Sequence, residues 1–518
     1  MLRKILLRLA ASLALVGLFS NCLPNQSFRP GIAATEPRLP GARDYDLGFI
    51  EFDEQGDFWD RAQLAAAVNL IKQTAKPLLV VYAHGWQNNA SDQVYDVPQF
   101  RGVLEKLART DRVRQLNYQV VGVYLGWRGK QAYDPLLKLL SFKNRKDAAT
   151  RIGSSNTITE AIFRVVYEAR HRSSDARTIL IGHSFGALVV ERAVEQALTG
   201  GILSGKPVVP ADFILLINSA AESIYAKEMR DMMTATLSFD TARKCYQAPD
   251  DSGCYLKDEP RIISVTSETD TATGLAFPIG ATIFGVGKLY RDYDGPETYG
   301  QRVSQRLFFT HTPGHNDRLL DHAIVPLTGE LPTPRRTRAF EENLEFPQAL
   351  PTSSADNQAT PIFATGGEET AAGKTTTWRW WRLDYTGDPK QRSPFWIVKV
   401  PKEILNGHGG IFNPNARDMM AALFRLSNVL DRGNTELPRI EIKARPSSAG
   451  QSLVEAKPLA APAVSLSEPV TSSAAETTAA QLSPSPGKIH RGRTRKPAFL
   501  QLKKRVTSPP SAANQGVP

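Results

Sequence analysis

Thr178-Ile179-Leu180-Ile181-Gly182-His183-Ser184-Phe185-Gly186-Ala187-Leu188-Val189-Val190-Glu191-Arg192 carries an apolar run into a Gly-x-Ser-x-Gly pentapeptide and out into a helical pattern. The bare pattern would arise by chance roughly 0.15 times in a chain of this length and glycine content. Its flanks make it informative, because a serine on a sharp strand-to-helix turn needs a strand before it and a helix after it. The glycines have a mechanical reason: the helix can leave close to the strand only if the residues around the serine lack bulk. Ser184 is therefore the candidate nucleophile.

Short apolar runs bounded by turn signals recur on both sides of this segment. Leu78 to Ala83, Val120 to Leu125, Phe213 to Asn218, Arg261 to Thr266 and Phe395 to Val400 read as strands beside Thr178 to Gly182. Helical periodicity falls between them at Arg61 to Lys72, Phe100 to Ala108, Thr157 to Ala169 and Ala187 to Leu198. Strand and helix alternating in this way predict an α/β fold, a mostly parallel central sheet flanked by helices around a single core. From about 281 to 392 the alternation gives way to polar, Pro- and Gly-bearing sequence, too long for an ordinary connection. It reads as an insertion over one end of the sheet, before the last strand. Its close, Trp378 to Tyr385, alternates like an edge strand and is expected to form a hairpin with Phe395 to Val400. The tryptophans there either pack against the sheet edge or wall a substrate groove.

A serine hydroxyl needs a neighbouring base, itself oriented by an acid. When a serine on such a turn is followed by its acid and then its histidine, order along the chain selects candidates. His84, His171 and His183 precede Ser184, and His490 lies in the low-complexity tail, leaving His311, His315, His322 and His408. His408 follows the last strand and precedes a helix start at Asn413-Pro414, so it is the expected base, with His322 and His315 as alternatives. The group His311, His315, Asp317, Asp321, His322 has the polar density of a metal site without a clean ligand spacing, so it reads as a loop that shapes the substrate mouth rather than as a metal site. Asp270, just past the strand Arg261 to Thr266, is the expected acid, with Glu268 and Glu222 as alternatives. Backbone N-H donors for an oxyanion are expected from Phe185 and from Trp86, in the turn after Leu78 to Ala83, where Gly85 lets the backbone approach. His84 reads as structural.

The net charge of +11 is confined to the two ends. Eight basic residues and no acid follow Glu476, and Arg3, Lys4 and Arg8 open the chain, so the region between is close to neutral. A neutral body has no surplus with which to hold a phosphate backbone, which argues against nucleic acid as a partner. Arg3, Lys4 and Arg8 lead into the apolar run Leu9 to Phe19, an export signal too short to span a bilayer comfortably. Leu18-Phe19-Ser20-Asn21-Cys22 resembles a lipoprotein cleavage box, with Phe19 and Asn21 departing from the usual residues. Lipidation at Cys22, plain cleavage nearby and an uncleaved anchor are the three readings. Each expects an exported protein of the periplasm or cell envelope.

The organisation read from composition is a signal peptide over 1–22, a linker over 23–43, a domain over 44–445 and a disordered Ala/Ser/Pro-rich tail over 446–518 with a basic end. Membrane association is expected through the N-terminal lipid or anchor, with the basic tail as a second candidate contact. Cys245 and Cys254 flank a polar segment and are a candidate disulfide in an oxidising compartment, the alternative being two unrelated thiols.

An apolar strand into His84-Gly85, the pentapeptide around Ser184, an Asp after the penultimate strand and a His after the last resemble the α/β-hydrolase fold over roughly residues 45 to 435. Gly126-Trp127-Arg128-Gly129, Phe142-Lys143-Asn144-Arg145-Lys146 and Thr266 to Gly280 are similar to a lipase/esterase-like branch found in bacteria and fungi. The resemblance implies hydrolysis of a carboxylic ester through an acyl-enzyme, on an ester or lipid-like small molecule, without a cofactor. Thioesterase, amidase or peptidase chemistry on the same fold is an alternative, and a non-catalytic envelope scaffold is a second. The departure is the long insertion between Asp270 and His408.

Overall fold

Four segments of seven or eight residues, β2 (Tyr45–Glu51), β3 (Pro77–Ala83), β4 (Gln119–Gly126) and β5 (Arg177–His183), are buried along nearly their whole length. Strands buried on both faces pair in parallel, because crossover helices then cover each face. The computed structural model describes residues 26–130, 135–203, 209–236, 238–240, 245–247, 254–256, 260–285, 288–293, 303–327, 362–365, 379–387 and 393–430. Within it, β1 (Thr35–Glu36), β6 (Phe213–Ile217), β7 (Ile262–Ser267), β8 (His322–Pro326), β9 (Phe363–Thr365), β10 (Arg379–Tyr385) and β11 (Phe395–Val400) complete an 11-stranded sheet. Its order is β1-β2-β4-β3-β5-β6-β7-β11-β8-β10-β9. From β2 to β8 neighbouring strands are parallel, while β1 and β10 run antiparallel to their neighbours. The C-terminal ends of β2, β3, β5, β6, β7 and β11 therefore all open on one edge.

The sheet divides the apolar interior into two layers rather than the single core expected from sequence. One layer holds Ala67, Val81, Leu180, Leu188 and Met229 under the helices α1 (Arg61–Lys72), α3 (Pro135–Gly153), α4 (Asn156–Arg172), α5 (Phe185–Leu203) and α6 (Ser223–Thr236). The other holds Phe100, Leu104, Tyr124, Leu215 and Leu423 under α2 (Asp96–Arg109) and α8 (Pro414–Leu426). Side chains alternate across each strand, so Val80 and Val81 go to opposite layers. Local signals start the helices: Asp60, Ser155 and Asn413 each accept a hydrogen bond from the backbone of the first turn that follows.

Glu191, two turns along α5 from Ser184, is fully buried with only the Ser219 side chain beside it to offset the loss of water. Burial pushes its carboxyl from 4.5 up to about 8. The folded chain therefore keeps a proton that the unfolded chain releases, and this group's contribution to stability declines as pH climbs from 4.5 to about 8. Glu191→Gln should flatten that decline: in urea unfolding the variant should match the parent near pH 5 and exceed it at pH 8. Equal differences at the two pH values would show that Glu191 is ionised in the folded state.

The segment 23–43, expected as a linker, is strapped to the sheet from Gln26 onward. The Glu51 carboxylate accepts from Ser27 Oγ (2.6 Å), Phe28 N (2.8 Å) and Arg29 N (2.7 Å). Arg29 lies 4.2 Å over the Phe49 ring, donates to Ala90 O and pairs with Asp92. Composition registers the prolines and serines here but not the buried carboxylate that captures them.

The region 281–392 also departs from expectation. Its described strands lengthen the sheet: β8 pairs with β11, and β10 runs antiparallel to β8. The expected hairpin between Trp378–Tyr385 and Phe395–Val400 is not formed, since the partners of β10 are β8 and β9. Trp380 and Trp381 are buried, with Trp381 Nε1 donating to Thr365 Oγ1, so these two pack within the sheet and wall no groove; Trp378 lies outside the described residues. In the small sheet of Ser238–Asp240, Cys245–Gln247 and Cys254–Leu256, Cys245 stands opposite Leu256 and Cys254 opposite Gln247. The candidate disulfide pair is thus diagonal in register rather than directly opposed, and the two cysteine side chains lie outside the described ones. The signal region with Cys22 and the tail from 431 lie outside the described residues. Among the described residues no helix is long and apolar enough to cross a membrane.

Candidate active site

Ser184 follows β5 directly, with φ at +56°. A non-glycine residue in this left-handed region is strained, and the strain is held by packing on both sides. Its N-H donates to Ile217 O on β6 (3.0 Å) and its carbonyl accepts from Leu188 N (3.2 Å). A Cβ on Gly186 would stand 2.1 Å from Ala83 O, and one on Gly85 would stand 2.9 Å from Ser184 Cβ. Both glycines are therefore fixed by close approach: α5 leaves against the end of β3, and the turn after β3 rests on the serine.

His408 reaches this serine from the loop after β11, with Nε2 2.7 Å from Ser184 Oγ. Its Nδ1 lies 2.8 Å from Asp270 Oδ2, so the imidazole donates to the carboxylate and accepts from the hydroxyl. Asp270, after β7, is wholly buried on its side chain, whereas His408 retains 26% side-chain exposure on the solvent side. Burial opposes the charge on Asp270, but hydrogen bonds from His408 and Thr273 outweigh it and hold the carboxyl below its usual range. Oδ1 also accepts from Ala272 N and Thr273 N, so Asp270 caps the helical stretch that follows it while it holds the His408 ring.

The loop carrying His408 is pinned by two residues that sequence reasoning did not single out for this role. The His408 carbonyl accepts from His183 Nε2 (3.0 Å) and Asn218 Nδ2 (2.9 Å). Burial, with His408 beside it, pushes the His183 imidazole down to about 3, so it stays a neutral donor. Asn218 is fully buried at the end of β6 with φ at +47°. Its amide also donates to Gly407 O (3.1 Å) and accepts from Ser267 N (2.9 Å), tying the base loop to the strand that leads to the acid. The signal available was an asparagine ending an apolar run, the residue type that tolerates left-handed backbone. Asn218→Ala should lower kcat by on the order of 10² with little change in KM, because a base displaced by about 1 Å loses its near-attack geometry. A variant with KM raised and kcat intact would place Asn218 in substrate binding instead.

Beside Ser184, the backbone N-H groups of Phe185 and of Trp86, next to Gly85, have no acceptor among the described residues. The turn holding Trp86 is built by residues behind it. Trp127 donates its N-H to His84 Nε2 (3.0 Å) and its indole N-H to the His84 carbonyl (3.0 Å), and the two rings stack at 5.5 Å. Burial pushes His84 down to about 4, which keeps it neutral and in this structural role. Arg145 donates to Arg128 O and pairs with Glu54, and Phe142 packs against Trp86 and Phe185. A cleft of about 330 Å³ opens beside His408, with Trp86, Gln87, Tyr95, Asp96 and Ile411 among its walls. Burial raises the Asp96 carboxyl to about 6.

The alternatives considered from sequence are engaged elsewhere. Glu268 is exposed and accepts from Lys402 N, while Glu222 pairs with Lys146. His322 donates to Asp321, which also accepts from Ile397 N and pairs with Arg230, and it stacks on Trp396 at 4.3 Å. His315 lies by Thr312 and Thr273, behind the acid. Among the described residues no group of three or more His, Cys, Asp or Glu converges as metal ligands do. Comparison with protein-family models, with curated proteins and with solved structures returned no match.

Proposed function

We propose that this chain is a serine hydrolase of the α/β-hydrolase type that cleaves carboxylic esters through an acyl-enzyme. The observation that carries the reading is the continuous hydrogen-bonded line from Ser184 through His408 to Asp270, set at the C-terminal edge of a parallel sheet. Reaction begins when Ser184 Oγ attacks the ester carbonyl and His408 Nε2 takes the hydroxyl proton. Asp270, held ionised, keeps the imidazole in the tautomer that can accept this proton and stabilises the imidazolium that forms. The oxyanion of the tetrahedral intermediate takes hydrogen bonds from Trp86 N and Phe185 N. Collapse breaks the C-O bond, and His408 returns the proton to the departing alcohol. Water then repeats the sequence on the acyl-enzyme and releases the acid.

The similarity of Gly126-Trp127-Arg128-Gly129, Phe142 to Lys146 and Thr266 to Gly280 to a lipase/esterase-like branch supports an ester as substrate, within the broader resemblance of residues 45 to 435 to the α/β-hydrolase fold. The basic start and apolar run before Cys22 support export, with anchoring at the cell envelope. A fluorophosphonate probe tests the central claim, because only an activated serine reacts with it. Covalent labelling that maps to Ser184, together with turnover of a short-chain aryl ester, is expected. A folded protein that neither labels nor turns over the ester would leave the fold serving as a binding scaffold.

A further inference from the structure

The helical stretch that follows Asp270 carries an apolar face that is exposed and uncovered among the described residues. Leu275, Ile279 and Ile283, four residues apart along Ala272–Ala276 and α7 (Phe277–Phe284), are 60%, 51% and 59% exposed. Residues at that spacing share one side of a helix. The inward side is fixed by buried Phe277 and by Gly280, which faces the Phe142 ring beside Trp86. Lys288 and Leu289 follow just beyond, both exposed. The stripe is thus held at the rim of the Ser184–His408 site.

The N-terminal strap comes to the same edge of the sheet. Ser27, Phe28 and Arg29 bind Glu51 at the C-terminal end of β2, and Asp270 follows the C-terminal end of the parallel strand β7. Five strand spacings separate β2 from β7, about 24 Å, with Ser184 after β5 between them. Only four residues separate Cys22 from Ser27, and the five steps between them span at most about 18 Å. A lipid on Cys22, or the apolar run before it, would hold this edge close to a bilayer.

We propose that the C-terminal edge of the sheet is a membrane-docking face, with Leu275, Ile279 and Ile283 entering the boundary between headgroups and acyl chains. The partner is the lipid bilayer to which the N-terminus is attached. The proposal rests on the export reading of residues 1–22 and is independent of whether Ser184 is catalytic. A short anchor supplies proximity, and a helix lying in the interface supplies orientation, its apolar face buried about 5–10 Å below the headgroups. The site would then open toward material in or leaving the bilayer.

Amide hydrogen exchange of the full chain, with and without vesicles of phosphatidylethanolamine and phosphatidylglycerol, tests the proposal. Vesicles should slow exchange across 275–284 on the order of ten-fold, while 199–203, at the far end of α5, should not change. The combined variant Leu275→Ser, Ile279→Ser, Ile283→Ser should lose that slowing, whereas Leu203→Ser, at a residue 83% exposed on the opposite edge, should keep it. Unchanged exchange across 275–284, or equal slowing at 199–203, would overturn the proposal even if the triple variant failed to fold. Fluorophosphonate labelling of the same sample separates the two claims: labelling without slowing sinks the docking face alone, and slowing without labelling sinks the hydrolase reading alone.

Discussion

Ser184→Ala should abolish fluorophosphonate labelling and lower ester turnover by on the order of 10⁴–10⁶, because the variant would supply neither nucleophile nor partner to His408. Any residual turnover would then come from the proposed oxyanion donors and from binding. The unfolding midpoint should hardly move, because alanine inherits the same backbone position at φ +56° and, among the described residues, the lost hydroxyl had bonded only to His408. Ser184→Gly sharpens the argument. It should be equally inactive, yet glycine adopts left-handed backbone without steric cost, so relief of strain of about 1–3 kcal/mol works against its extra unfolded-state entropy. A glycine variant as stable as the parent or more so would locate stored strain at the nucleophile. Turnover retained by either variant would remove Ser184 from the mechanism.

The parts of this site that were legible in the sequence are those written in local chemistry. The strand before Ser184, the glycines around it and the helix after it lie within one short stretch, and Phe395–Val400 is bounded by turn signals that define it to the residue. The convergence of Asp270 and His408 is a long-range consequence of strand order. It became readable only because parallel strands deliver their C-terminal ends to one edge. What stayed hidden depended on partners remote in sequence. Nothing near Ser27 announces that Glu51 will take its hydroxyl and the next two backbone N-H groups. Trp380 and Trp381 alternate as an edge strand would, yet β9 covers that edge from a region with little apolar periodicity. Asn218 ends an apolar run as many asparagines do, and its value lies in carbonyls nearly two hundred residues away.

The choice between the two histidine-carboxylate pairs yields the last and most discriminating expectation. His408 with Asp270 and His322 with Asp321 have the same 2.8 Å Nδ1-to-carboxylate contact, so that contact alone does not distinguish a base from a structural histidine. Their other sides do. The Nε2 of His408 meets a hydroxyl at 2.7 Å, whereas the ring of His322 is stacked on Trp396 and lies edge-on to Tyr385, its acid already committed to Arg230 and Ile397 N. His408→Ala should therefore cost several orders of magnitude in kcat, nearly as much as loss of the serine, and the double variant should be no worse than either alone, because the members act as a unit. Asp270→Asn should lower kcat by on the order of 10⁴, since an amide can leave the imidazole in the wrong tautomer while preserving the loop. His322→Ala should lower the unfolding midpoint, by removing a packed ring and leaving Asp321 with fewer donors, while kcat/KM of the folded fraction stays near that of the parent. Steady-state kinetics and thermal unfolding on these three variants decide the matter: an active His408→Ala beside a dead but folded His322→Ala would transfer the base to β8 and leave the Ser184–His408 contact without a catalytic role.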